Sequence, residues 1–94
     1  MRTIKRSSAF KRDYKRVKLT PKYSKSLESL VLKILELLVL DSPLPGHFRD
    51  HALSGDWDGY RECHLKPDLL LIYKKVEPNL LKLARLGSHS ELFN

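Results

Sequence analysis

The 94 residues, 41% hydrophobic and 31% charged, are expected to form one small domain with one core and are too few for two. No apolar run is long enough to cross a bilayer, Met1 to Arg6 lacks the apolar stretch of a secretory signal, and the single cysteine, Cys63, excludes an intramolecular disulfide, so a reducing cytoplasmic setting is expected. The net charge of +7 is lopsided: residues 1–25 hold ten Lys/Arg against Asp13 alone, and the remainder holds eight basic and ten acidic side chains. Such a patch, with Lys11, Arg12 and Lys15 in it, suits a polyanion, nucleic acid ahead of an acidic protein or a membrane surface, and equally suits a solvated basic helix.

Thr3-Ile4 alternates weakly and suits a short strand. Ser8 is placed to cap a helix running to about Leu19, with Phe10, Tyr14 and Val17 on one stripe and Lys11, Arg12, Lys15 and Lys18 elsewhere. Thr20-Pro21 ends it. A second helix starts near Ser24 or Ser26 and continues to about Asp41, with Leu27, Leu30, Val31, Ile34, Leu35 and Leu38 as its core stripe. Leu32, Leu37, Val39 and Leu40 lie off that stripe and ask for cover from a second layer or a partner protein. Ser42-Pro43-Leu44-Pro45-Gly46 then opens a long connection to Gly59, and the presence of His51 and Trp57 inside it favours function over disorder.

Three strands follow, Tyr60–Lys66, Leu69–Lys75 and Leu80–Leu86, the first pair joined by a Pro67-Asp68 turn and the second by Val76 to Asn79. Leu69 to Tyr73 is apolar on both faces, as a central strand covered on both sides would be. The order is β-α-α-β-β-β: an α+β domain with two helices on one face of a mainly antiparallel sheet. Strand parity puts Tyr60, Glu62, His64 and Lys66 on one face and Arg61, Cys63 and Leu65 on the other. With a two-residue turn, His64 is expected opposite Leu71, which brings Leu69 and Tyr73 onto its face. Arg85 joins that face only through an odd-length connection or a bulge, and one of the two is expected.

His51, His64, Asp68, Arg85 and His89 suit one chemistry in particular. Cleavage of an RNA phosphodiester by its own 2′-hydroxyl needs a base, an acid and a cation for the phosphorane charge, and it needs no metal. Histidine can fill either proton-transfer role, arginine offers a planar cationic fork, and an aspartate at a turn can orient a histidine or act as a base. Phe93, Trp57 or Tyr60 can stack on a base of a single strand.

The ordered set Asp50-His51, Leu53, Gly55, Trp57, Gly59-Tyr60-Arg61, His64, Pro67-Asp68, Leu71-Ile72-Tyr73, Arg85, Gly87, His89 and Leu92-Phe93 resembles the YafQ-type mRNA interferase toxins of bacterial toxin–antitoxin systems, in the RelE/ParE superfamily. The likeness is close over the C-terminal half and holds only in kind over the two N-terminal helices. It implies a RelE-like fold and a cytoplasmic, ribosome-dependent endoribonuclease that cuts mRNA in the A site without cofactor or metal. It also implies a cognate antitoxin that holds the toxin inactive, and operator DNA bound by the toxin–antitoxin complex. Position by position, the resemblance gives His51, His64, Asp68, Arg85, His89 and Phe93 as active-site residues. By that resemblance His89 is expected to be the proton-transfer residue, with His51, His64 or Asp68 as its counterpart, Arg85 the phosphate clamp and Phe93 the stacking or positioning residue. Arg61 and Lys66, with Lys11, Arg12 and Lys15, are further candidate RNA contacts. Members often carry an aromatic residue after Pro-Asp, and here that position is Leu69, which has no ring to stack.

Two other classes fit part of the pattern: a ParE-like toxin that shares the fold, poisons DNA gyrase and lacks this histidine set, and a basic nucleic-acid-binding module with inert histidines. Each residue alone also has a plainer role. A mid-strand His64 is more often structural, Arg85 can simply pair with an acid, Asp68 is ordinary turn chemistry, and Cys63 suits a small core residue. His47 and His51 are four apart, but Pro45-Gly46 argues against the helix a metal pair would need. The joint occurrence of the set favours the nuclease.

Overall fold

The computed structural model describes residues 1–93. It contains strands β1 (Thr3–Arg6), β2 (His51–Ala52), β3 (Arg61–Lys66), β4 (Leu69–Val76) and β5 (Leu80–Gly87), with helices α1 (Ser8–Lys18), α2 (Leu27–Val39) and α3 (His89–Phe93). The five strands form one sheet in the order β1-β5-β4-β3-β2. β1 runs parallel to β5 and every other pair is antiparallel.

Two layers of core explain the arrangement. Phe10 and Val17 of α1 and Leu27, Val31, Ile34 and Leu38 of α2 are buried against Cys63, Leu71, Tyr73, Leu81 and Leu83, so both helices cover one face of the sheet as expected. On the other face Leu70 and Ile72 are covered by Leu92 of α3 and by Leu53, Trp57 and Tyr60 from the β2 region. β4 is thus sealed on both sides, which is why Leu69 to Tyr73 needs no polar alternation. Off the stripe of α2, Leu37 and Val39 pack partly against the core, whereas Leu32 and Leu40 stay exposed.

Several expectations need correction. Ser7, not Ser8, caps α1: its extended backbone lets Oγ accept the Phe10 N–H at 2.9 Å while donating to the Ala84 carbonyl at 2.8 Å. The Pro67-Asp68 turn is the two-residue turn expected, but Leu65 is bulged out of the ladder, so His64 lies opposite Leu70 rather than Leu71. Leu69 and Tyr73 consequently face the helices and not His64. For Arg85 both expected devices occur: the β4–β5 connection is the odd Glu77-Pro78-Asn79, and a second bulge at Ala84 sets Arg85 opposite Ile72. The strand β2 and the helix α3 are additions to the expected order.

β1 stops pairing at Arg6, which leaves the last residues of β5 without a strand on that side. Side chains of α1 take its place. Asp13, 3% exposed, accepts the Leu86 N–H at 2.9 Å and pairs with Arg85 Nε at 2.7 Å and Arg16 Nη1 at 2.7 Å, while Arg16 Nη2 donates to the Leu86 carbonyl. Burial acts to raise the Asp13 carboxyl, and the bonds from Arg85, Arg16 and Leu86 overcome it, so its pKa lies below the ordinary value. Asp41 is likewise held down, to about 2, by Lys75 and Arg2. For both groups the folded value is below the unfolded one, so their stabilisation is present above about pH 4 and is lost as the pH falls through the folded values. Asp13→Asn is expected to cost about 1–3 kcal/mol at pH 7, because it weakens four bonds around a buried acceptor. Thermal unfolding from pH 7 to pH 2 checks this: the variant should show a shallower acid loss than the parent protein.

Candidate functional site

Where β2, β3 and the start of α3 meet, an open groove of about 430 Å³ is lined by Arg49, His51, Leu53, Glu62, His64, Pro67, His89 and Phe93. Three of the four histidines converge there. Their rings form a chain, with 6.3 Å between the centroids of His51 and His64 and 6.0 Å between those of His64 and His89; Phe93 continues it at 5.8 Å from His89.

Local structure places each ring. A short helical turn, Gly46–Phe48, ends at Arg49, which adopts the left-handed region (φ 51°) that non-glycine residues seldom occupy. The Arg49 carbonyl meets His51 Nδ1 at 2.8 Å. A carbonyl only accepts, so Nδ1 bears the hydrogen in this contact and Nε2 is left for chemistry. His51 then pairs with Glu62 at the edge of the sheet. His64 is buried; Nε2 lies 3.0 Å from Glu62 Oε1 and Nδ1 3.4 Å from the Pro67 carbonyl, so both nitrogens face acceptors. The same Glu62 oxygen stands 3.7 Å from His51 Nε2. One buried carboxylate therefore serves two imidazoles.

His89 opens α3, where Ser88 and Glu91 form a reciprocal capping box: the Ser88 N–H donates to Glu91 at 2.9 Å and the Glu91 N–H donates to Ser88 Oγ at 3.3 Å. The Asp68 carboxylate accepts the His89 N–H at 3.0 Å and stands 3.5 Å from His89 Nδ1. Arg16 pairs with Glu91 at 2.9 Å and so fastens α3 to α1. A side chain at Gly87 would come within 2.8 Å of the Arg16 and Glu91 tips, so a larger residue there would have to shift that ion pair.

The other candidates lie elsewhere. Arg85 is tied to Asp13 through Nε and Nη2 and is not among the residues lining the groove. Arg61 is on the helix-side face, held to Asp50 at 3.0 Å; Tyr73 also donates to Asp50, and burial together with that carboxylate keeps its hydroxyl titrating well above the ordinary range. Cys63 is fully buried, and burial raises its thiol likewise. Lys66 is exposed beside the hairpin turn, and Leu69 is in the core. Lys11, Arg12 and Lys15 are exposed on α1, where Lys11 and Lys15 border a larger, mostly apolar cleft of about 660 Å³ with Ile4, Phe10, Val31 and Leu35; no histidine lines it. Sequence reasoning missed Glu62 and Arg49. The signal for Glu62 was its shared face with His64, two residues away; nothing in the sequence marked the Arg49 turn.

The groove brings together groups that can hold and release protons, with a cation in its wall and an aromatic ring beside His89. The sequence profile described as "Bacterial toxin of type II toxin-antitoxin system, YafQ" matches residues 2–94. The mRNA interferase toxin YafQ of Escherichia coli is 39% identical over 92 residues, which cover 98% of this chain and 96% of that protein. A copper-bound mutant toxin from Helicobacter pylori superposes with a TM-score of 0.87 at 39% identity, covering 99% of this chain and all of that one. YafQ in its complex with DinJ from Escherichia coli gives 0.81 at 38% identity, with both chains fully covered.

Proposed function

The chain belongs to the YafQ family of bacterial type II toxin–antitoxin toxins, and from that membership we propose that it is an mRNA interferase, an endoribonuclease that cuts mRNA in the ribosomal A site. The observation that carries the reading is the convergence of His51, His64, His89 and Glu62 on one groove.

In the proposed mechanism His51 Nε2 takes the proton of the attacking 2′-hydroxyl, and Glu62 provides the charge that stabilises the imidazolium formed. His89, oriented by Asp68, delivers a proton to the leaving 5′-oxygen. His64, between them and tied to Glu62, fixes the carboxylate. The resemblance assigns the phosphorane charge to Arg85, but that guanidinium is held by Asp13 outside the groove lining, so Arg49, the cation in the groove wall, takes the role in this reading. Phe93, 41% exposed, stacks on a neighbouring base.

A cognate antitoxin is the proposed partner, supported by the DinJ complex of the relative and by the exposed Leu32 and Leu40 of α2. Operator binding by that complex and action in the cytoplasm belong to the same proposal; no helix among the described residues is long and apolar enough to cross a membrane. Primer extension on a translated mRNA, with and without active ribosomes, tests it. Cuts that need both the protein and translating ribosomes are expected; growth arrest without any cut would favour a gyrase-type or simple binding toxin.

A further inference from the structure

The sheet face that carries the histidine groove also carries a row of three lysines. Lys5 of β1 is in register with Lys82 of β5, and Lys82 with Lys74 of β4. Lys74 shares its face with Leu70 and Ile72, the partners of His64 and Glu62. The row therefore crosses three adjacent strands on the histidine side, with strands about 4.8 Å apart. Like charges directly opposite one another destabilise a sheet. Among the described residues none of the three has a salt bridge, although neighbouring Lys75 pairs with Asp41. The Lys74 ammonium instead lies 5.3 Å from the centre of the Tyr60 ring, and Lys5, Lys82 and Tyr60 line a hollow of about 260 Å³.

We infer that this row is a track for the phosphates of the substrate RNA strand as it leaves the histidine groove, an inference that rests on the ribonuclease reading. Uncompensated lysines beside an aromatic ring suit a single-stranded polyanion. The commitment to the substrate strand, over ribosomal RNA, comes from continuity. Four steps along β4 lead from Leu70, the partner of His64, to Lys74, or about 14 Å. A strand seated in the groove spans that with about four nucleotides or fewer.

The test uses the triple variant Lys5→Gln, Lys74→Gln, Lys82→Gln and two fully 2′-O-methylated RNAs that offer no internal nucleophile, one of nine nucleotides and one of two. For the nine-nucleotide RNA, the slope of log affinity against log salt should fall by about two, because each single-strand phosphate contact contributes about 0.7, and affinity at low salt should fall at least about tenfold. Binding of the two-nucleotide RNA should be unchanged, and the melting temperature unchanged or higher. An unaltered slope with the nine-nucleotide RNA overturns the inference, as does loss of binding to vacant ribosomes alone, which would assign the row to ribosomal RNA. A protein that cuts mRNA while the triple variant keeps its slope defeats only the track; one that cuts nothing but shows the predicted slope change defeats only the nuclease reading.

Discussion

His89→Ala is expected to lower RNA cleavage by about 10²- to 10⁴-fold, the usual scale for one positioned proton-transfer group. The side chain is 58% exposed and touches Asp68 and the Phe93 ring rather than the core. The Ser88–Glu91 cap and the Asp68 bond to the backbone N–H hold α3 without its imidazole. The stability change should therefore stay within about 0.5 kcal/mol, as for exposed positions generally. Cleavage assays beside thermal melts separate the two effects. Cleavage at the parent rate would take His89 out of the mechanism.

Glu62→Gln should lower cleavage by about 10²-fold or more with the melting temperature nearly kept. The amide oxygen can still accept from His64 Nε2, so the geometry survives, but the negative charge facing His51 Nε2 is gone. Glu62→Ala should lose the same activity and also about 1–3 kcal/mol, since it leaves the buried His64 N–H without an acceptor. If the glutamine variant cleaves like the parent protein while the alanine variant only melts earlier, Glu62 is structural and the shared-carboxylate arrangement has no part in the reaction.

How far the sequence carried this account varies by element. Helices α1 and α2, three long strands and the sealed central strand followed from periodicity, because burial on one or both faces writes itself directly into residue spacing. The face on which each site residue lands did not. Two bulges, at Leu65 and Ala84, reset the register, and neither is marked by the glycine that often signals a bulge in a strand. β2 is too short to alternate. The capping box at Ser88 and Glu91 was legible and would have placed α3 and the orientation of His89. Arg85 shows the limit of strand parity from the other side: its ladder position follows the expected devices, yet its guanidinium goes to Asp13, a partner from the basic N-terminal third where that acid stands alone.

The most direct test of the central claim is the chemistry of the cut ends. RNA cleaved by the purified protein on ribosomes, with the released fragments analysed by mass spectrometry, should carry a 2′,3′-cyclic phosphate upstream and a 5′-hydroxyl downstream, and a 2′-deoxy substitution at the scissile nucleotide should abolish the cut. Fragments ending in a 3′-hydroxyl and a 5′-phosphate, or cleavage that survives the 2′-deoxy substitution, would contradict attack by the 2′-hydroxyl and with it the roles given to His51, Glu62 and His89.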